Sequence, residues 1–154
     1  MSPAARGWLR ALGLGFAVVV VDQVSKVIAA AALGPGERVD LVLGFELVDV
    51  RNTGIAFGLL ADGQILVLAV TAVALVLILG YFALHPSQPG LWIGVGLLVG
   101  GAVGNLIDRV RLNEVVDFID PPAWPAFNVA DVAIVVGIVA IVLVHRPHPS
   151  PGDE

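Results

Sequence analysis

Cysteine is absent from the 154-residue sequence, and lysine and histidine are scarce. A chain without thiols forms no disulfide, holds no thiolate-bound metal and has no cysteine nucleophile. Lys26 is the single lysine, and 8 basic residues face 13 acidic ones, so the formal net charge is −5. Nucleic-acid binding needs clustered lysine and arginine, and we therefore expect no nucleic-acid partner. His85, His145 and His148 lack the spacing of metal ligands, so no zinc site is expected, whereas the composition alone leaves carboxylate-bound Mg²⁺ open.

Charged residues are rare as a class. They make up 14% of the chain, whereas 58% of the residues are hydrophobic and the mean hydropathy is +0.95. Soluble domains are about 25% charged and about 45–50% apolar. Too few polar side chains are available to cover a soluble surface at this length, and the composition predicts an integral membrane protein.

Four apolar stretches have lengths near the about 20 helical residues that cross a bilayer. They cover residues 9–33, 64–84, 91–110 and 128–144. The last stretch is short, so its helix must stand nearly upright or use flanking residues. We expect a mainly α-helical fold with four transmembrane helices in a single domain over residues 1–146. The Pro-rich, polar residues 147–154 are expected to form a disordered tail.

Arg6 and Arg10 precede the first stretch, which favours a cytoplasmic N-terminus. With four spans, both termini are then cytoplasmic, and the two longer connections lie on the outer side. The same arginines, followed by an apolar run and alanines, also resemble a cleavable signal peptide. Charged side chains interrupt that run before the alanines, and we therefore expect the first helix to be retained.

The two outer connections differ in character. Residues 38–52 partly alternate apolar and polar side chains, which favours a short β-hairpin or small sheet with Gly44 near its turn. Residues 111–127 contain three prolines, which exclude a continuous helix.

Ionisable side chains lie within or beside the apolar stretches, where each costs about 2.5–3.5 kcal/mol at the bilayer centre. They are Asp22, Lys26, Asp108, Arg109 and Asp131. Asp22 and Lys26 are four residues apart and can pair on one helix face, while Arg109 can pair with Asp108 or reach the membrane interface. Such residues predict a buried or water-lined functional site.

Asp117 lies among apolar residues, and Asp131 follows in the first turn of the fourth stretch. Structural roles are alternatives for both residues. Asp131 can complement the helix dipole beside an Asn128 cap, and a strand pleat can turn Asp117 toward water. If the two carboxylates face each other, they share a proton, and the pair can act as general base and general acid.

Four blocks of sequence, taken in order, resemble the bacterial lipoprotein signal peptidases, the signal peptidase II family, over about residues 8–146. The blocks are VDQVSK (21–26), NTGIAFG (52–58), GGAVGNLIDR (100–109), and VVDFID with FNVAD (115–120 and 127–131). The resemblance implies a four-helix membrane bundle with a small outer sheet. It also implies a cofactor-independent aspartic endopeptidase of the bacterial inner membrane, with its active site near the outer face.

The resemblance further implies a substrate and a site. The substrate is a prolipoprotein that carries a diacylglyceryl group, and the cut falls directly before the lipidated cysteine. Asp117 and Asp131 match the catalytic pair. Positions that support the pair or bind substrate are Asp22, Lys26, Asn52, Gly54, Asn105, Asp108, Arg109, Asn128 and Ala130. Membrane lipid is the other expected partner, and we expect a monomer. Many relatives carry glycine two residues before the VVDF block, where Asn113 can adopt the same left-handed turn.

Two other functions fit parts of the pattern. A small proton- or ion-coupled transporter requires charges through the depth of the membrane, whereas Asp108, Asp117 and Asp131 gather at one end of the predicted bundle. A non-catalytic scaffold predicts that removing one aspartate mainly lowers stability.

Overall fold

The computed structural model describes residues 1–34, 37–53 and 63–145. Within them the chain forms four α-helices and one small sheet. The helices are α1 (Pro3–Ala32), α2 (Gly63–Leu84), α3 (Leu91–Leu112) and α4 (Val129–Val144). The strands are β1 (Val39–Asp40), β2 (Glu46–Asn52) and β3 (Val115–Asp120), and a short 3-10 turn spans Val42–Gly44. Gly54 and the predicted tail lie outside the described residues.

Three of the described helices, α1, α2 and α3, are long and apolar enough to cross a membrane. Helix α4 is apolar but has 16 residues, in line with the short fourth stretch of the sequence. Large apolar side chains such as Phe16, Val70 and Val139 are exposed on the outer faces of the bundle. Such exposure of apolar side chains is unfavourable in water, whereas the acyl chains of a bilayer can cover them. The predicted mainly helical membrane fold is confirmed.

Helix α1 begins at Pro3, well before the apolar stretch from which it was predicted. The Ser2 hydroxyl accepts a hydrogen bond from the Ala5 backbone N–H at 3.1 Å, and proline occupies the first helical position. Both features favour a helix start. The polar first turns therefore extend the helix beyond its hydrophobic part.

Glycines bring α3 close to both α1 and α4. A Cβ added at Gly100 would lie 2.7 Å from the Gly15 carbonyl oxygen, and one at Gly101 would lie 2.4 Å from the Ala130 carbonyl oxygen. Only glycine permits such backbone approach. Helix α3 thus lies between its two neighbours, and its last turns lie beside the first turn of α4.

The sheet is antiparallel, in the order β1-β2-β3. The β1–β2 hairpin pairs Val39 with Leu47, and Gly44 in its turn has φ +77°, so the predicted hairpin is confirmed. Strand β3 pairs with β2, which places Asn52 opposite Val115. This second pairing was not predicted from the sequence.

Asn113 connects α3 to β3. Its φ of 60° and ψ of 15° lie in the left-handed region, and its backbone N–H donates to the Arg109 carbonyl. This conformation ends the helix and turns the chain into the strand, as the sequence predicts for this asparagine.

Candidate active site

Asp117 lies near the middle of β3 and is 2% exposed. Its Oδ2 accepts from the Asn52 Nδ2 at 2.8 Å, and its Oδ1 accepts from the Asn128 Nδ2 at 2.7 Å. Burial raises the pKa of the Asp117 carboxyl, the Asn52 amide opposes this shift, and the nearby Asp131 charge raises the pKa further. The pleat therefore turns Asp117 into the protein and not toward water.

Asp131 is held in the first turn of α4. Its backbone N–H donates to the Asn128 Oδ1 at 3.0 Å, and its Oδ2 accepts from the Asn128 N–H at 3.2 Å, which forms a reciprocal capping box. Its Oδ1 accepts from the Asn105 Nδ2 at 2.8 Å. The Asn105 side chain of α3 and the Asn128 backbone N–H before α4 thus fix this carboxylate, which remains half-buried.

Asn128 joins the two carboxylates. Its side-chain amide contacts Asp117, its backbone amide contacts Asp131, and the residue is fully buried. The same side-chain amide lies 3.1 Å from the Asn105 Oδ1. One buried asparagine consequently brings the carboxylates of β3 and α4 to a common point.

A buried ionic cluster lies beneath this pair. The Lys26 Nζ is 2.8 Å from the Asp22 Oδ2, 2.7 Å from the Asp108 Oδ2 and 3.0 Å from the Asn105 Oδ1. All three donor positions of the ammonium are therefore used. The cluster links α1 to α3, and it contains the Asp22–Lys26 pair that the sequence predicts.

The Asp108–Arg109 ion pair, one of the two alternatives that the sequence allows for Arg109, does not form. Asp108 is 4% exposed and points toward α1, where it meets Lys26. Arg109, one position further around the helix, is half-buried, and its Nη1 lies 3.5 Å from the Asn105 carbonyl oxygen. Adjacent residues of a helix point in different directions, so the Asp108 and Arg109 side chains do not face each other.

The two carboxylates of the cluster also fix the backbone of the site. The Asp22 Oδ1 accepts from the Ala130 N–H at 2.9 Å, and the Asp108 Oδ2 accepts from the Val116 N–H at 3.3 Å. Each amide belongs to the residue immediately before one of the paired aspartates. Through Asp22 and Asp108, Lys26 is therefore linked to the backbone amide that precedes each of the paired aspartates.

Gln23 and Gly104 also contribute to the cluster, although neither was predicted from the sequence as a site residue. The Gln23 Nε2 donates to the Asp108 Oδ1 at 2.9 Å. A Cβ added at Gly104 would lie 2.7 Å from the Asp22 Oδ2, so only glycine leaves space for that carboxylate. In the sequence, Gln23 is distinguished only as a polar amide within an apolar stretch. The close approach at Gly104 is indicated only by its spacing of four residues from Gly100.

An apolar groove of about 320 Å³ leads to Asp131 along the outer face of α4. Its other lining residues are Trp124, Phe127, Val132, Val135 and Val136. The site thus combines a half-buried carboxylate with an apolar surface that can accommodate an extended hydrophobic chain.

The structure brings together the predicted site residues that it describes. They are Asp22, Lys26, Asn52, Asn105, Asp108, Arg109, Asp117, Asn128, Ala130 and Asp131. Arg109 lies at the edge of this group. In the described residues, no group of three or more histidine, aspartate or glutamate side chains has an arrangement that could hold a metal ion.

Fold and site together define a helical membrane protein with a paired-aspartate centre, an arrangement suited to acid–base hydrolysis. The family model described as signal peptidase (SPase) II matches residues 14–145. The lipoprotein signal peptidase of Moorella thermoacetica is 42% identical over 130 residues, 83% of this chain and 87% of the relative. That of Nitratidesulfovibrio vulgaris is 40% identical over 155 residues, 93% of this chain and 94% of the relative.

A solved structure of a bacterial membrane enzyme, determined by the in meso method at 1.9 Å resolution, has the same fold. Its TM-score is 0.79 at 30% identity, over 86% of this chain and 90% of that chain. This chain belongs to the signal peptidase II family. It is a bacterial membrane peptidase, as its sequence predicts, and the transporter interpretation has no support.

Proposed function

We propose that Asp117 and Asp131 are the catalytic pair of this peptidase, which removes signal peptides from prolipoproteins. The observation that carries the proposal is the convergence of both carboxylates on Asn128 in a largely buried site. One carboxylate of such a pair is held neutral while the other is ionised, which supplies an acid and a base without a metal.

The environments of the two residues favour an assignment of roles. Burial and the Asp131 charge raise the pKa of Asp117, and we therefore assign Asp117 as the general acid. Asp131 borders the groove and is the general base. It removes a proton from the attacking water while Asp117 protonates the scissile carbonyl oxygen. On collapse, Asp131 returns its proton to the leaving amine, and the hydroxyl proton returns to Asp117.

The apolar groove beside Asp131 supports a route for the substrate from the bilayer. Its lining of Trp124, Phe127 and the α4 valines suits the apolar part of a signal peptide. In this proposal the substrate carries a diacylglyceryl group on the cysteine that follows the cut. The two acyl chains remain in lipid and hold the scissile bond at the membrane interface.

We also infer the orientation and the working unit. Arg6 and Arg10 lie at the start of α1 and favour a cytoplasmic N-terminus. Both termini are then cytoplasmic, and the sheet and the aspartates face outward. Because all the elements of the site come from one chain, a monomer is sufficient for activity.

The ionic cluster supports the pair in this proposal. Asp22, Lys26 and Asp108 act as positioning residues because they hold the amides of Ala130 and Val116. Asn105 and Asn52 orient the two carboxylates directly. Rates are sensitive to such positioning, since a displacement of about 1 Å can cost about 10²-fold.

The substrate requirement is tested with the full chain purified in detergent. It is incubated with one prolipoprotein prepared with and without the diacylglyceryl group, and the product is analysed by mass spectrometry. We expect a single cut before the cysteine of the lipidated form and no cut in the unlipidated form. Equal cleavage of both forms would remove the lipid from the proposal, and a cut elsewhere would remove the assigned bond.

A further inference from the structure

In the described residues, the half of the bundle away from the aspartates contains arginines but no acidic side chain. Among the described residues, the segments 1–21, 63–107 and 132–145 contain no aspartate or glutamate, although the whole chain has a net charge of −5. Arg6 and Arg10 lie in this half, at the start of α1. In the described part of the chain, neither arginine lies within salt-bridge distance of a carboxylate.

A cleft of about 330 Å³ contains both arginines. It lies between the start of α1, the 86–90 turn and the first turn of α3, where Trp92 forms part of the wall. A Cβ added at Gly7 would lie 2.0 Å from the Pro86 carbonyl oxygen, so the helix and the turn are in direct contact. The cleft is therefore a feature of the packed fold.

The polar groups of the cleft suit a phosphate. The Arg10 guanidinium lies 5.7 Å from the centre of the Trp92 ring, and the Arg6 Nη1 donates to the Met1 carbonyl at 3.0 Å. Both guanidinium groups keep further N–H donors, and Ser87 and Gln88 add two polar side chains. Guanidinium groups bind phosphate oxygens in a bidentate manner.

A separate apolar groove lies further along the same two helices, and its lining begins at Ala11, the residue after Arg10. It has a volume of about 260 Å³ and is lined by Leu12, Phe16 and Val19 of α1 and by Val99 and Val103 of α3, among others. Leu12 is 60% exposed and Phe16 is 72% exposed. A positively charged cleft followed by an apolar groove matches a phospholipid headgroup and its acyl chain.

We propose that this cleft binds an anionic phospholipid, with its phosphate on Arg6 and Arg10 and an acyl chain between α1 and α3. The site is separate from the aspartate pair and independent of the peptidase mechanism. A tryptophan beside the cleft fits the membrane interface, where such rings are enriched. An anionic lipid is favoured over a zwitterionic one because nearby basic residues attract a net negative charge.

Native mass spectrometry of the full chain tests this proposal with phosphatidylglycerol and phosphatidylcholine as probes. We expect one tightly retained phosphatidylglycerol. The double variant Arg6→Gln/Arg10→Gln should bind it about 30-fold more weakly, since each basic residue near an anionic headgroup contributes about fivefold. The control Arg111→Gln removes an exposed arginine at the opposite end of α3 and should leave the affinity unchanged.

Three results of the variant and lipid comparisons would overturn the proposal, and a competition experiment supplies a fourth. They are equal affinity of the double variant and the wild type, equal loss in Arg111→Gln, and equal retention of phosphatidylcholine. Inorganic phosphate is added as a competitor, and displacement of the lipid at equal concentration would assign the cleft to free phosphate instead. The full chain is used because Asp153 and Glu154, two acidic residues outside the described part of the chain, belong to the native protein.

Discussion

At the scale of single residues, side-chain amides contact both carboxylates of the proposed pair. Asn52 and Asn128 each donate to one oxygen of Asp117, while burial acts against its ionised form. Donors to a carboxylate lower its pKa, and desolvation raises it. In the proposed mechanism, the balance of the two effects determines the pH range over which Asp117 acts as the acid.

Asn52→Ala should therefore change the pH dependence of the rate. Asn52 lowers the pKa of Asp117, so its loss raises that pKa beyond the already elevated value. In the proposed mechanism, activity requires protonated Asp117 and is lost as the pH rises through its pKa. The variant should therefore move the alkaline limb of kcat/KM to higher pH. The measurement is a pH profile of cleavage. Thr53→Ala, an exposed neighbour, is the control and should leave the limb in place. A limb that stays fixed or moves to lower pH contradicts the assigned acid.

At the scale of elements, the site depends on how α1, α3, α4 and β3 meet. The apolar stretches predict the helices, and the alternation in residues 38–52 predicts the β1–β2 hairpin, because both patterns are local. The pairing of β2 with β3 joins residues far apart in the sequence and has no local pattern. The pairing of Asp108 with Lys26 depends on how the helices pack. Asp108 also accepts a hydrogen bond from the Val116 backbone N–H, and a backbone donor cannot be predicted from residue type.

Gly104→Ala tests the contact between α3 and α1. The added Cβ would lie 2.7 Å from the Asp22 Oδ2 and would displace the carboxylate that holds the Ala130 N–H. We expect cleavage to fall by about 10²-fold through misplacement of Asp131. Gly80→Ala is the matched control, since nothing lies within 4 Å of its Cβ. That variant should keep full activity and gain about 0.5–1 kcal/mol of helix stability. Full activity in Gly104→Ala would show that the Asp22 contact does not position the pair.

Lys26→Met tests the cluster that joins these elements. It leaves Asp22 and Asp108 buried without their cation, which should lower the free energy of unfolding by about 3–5 kcal/mol. The measurement is an equilibrium unfolding titration in detergent followed by circular dichroism. Arg111→Met, at an exposed position, should change the value by about 0.5 kcal/mol or less.

A triple variant separates lost charge balance from lost packing. Lys26→Met with Asp22→Asn and Asp108→Asn removes all three charges, and it should regain much of the stability lost in Lys26→Met. If the triple variant is no more stable than Lys26→Met, unbalanced buried charge does not explain the loss.

At the scale of the whole molecule, polar function is concentrated at one end of an apolar bundle. The aspartates, the ionic cluster and the sheet lie together, while the helices present apolar side chains to lipid over their remaining length. The sequence motifs indicated which residues meet at this end. They did not predict that Asn128 contacts both carboxylates, which follows from the fold.

The catalytic pair is tested most directly by the rate of prolipoprotein cleavage in Asp117→Asn and Asp131→Asn, followed by mass spectrometry of the product. We expect each variant to stay folded and to lose about 10³-fold or more in rate, since acid and base act as a unit. Asp120→Asn changes a carboxylate of the same strand that pairs with Arg38, and it should keep its rate within about threefold. A folded Asp117→Asn or Asp131→Asn variant with a rate within about tenfold of wild type would remove that aspartate from the catalytic pair.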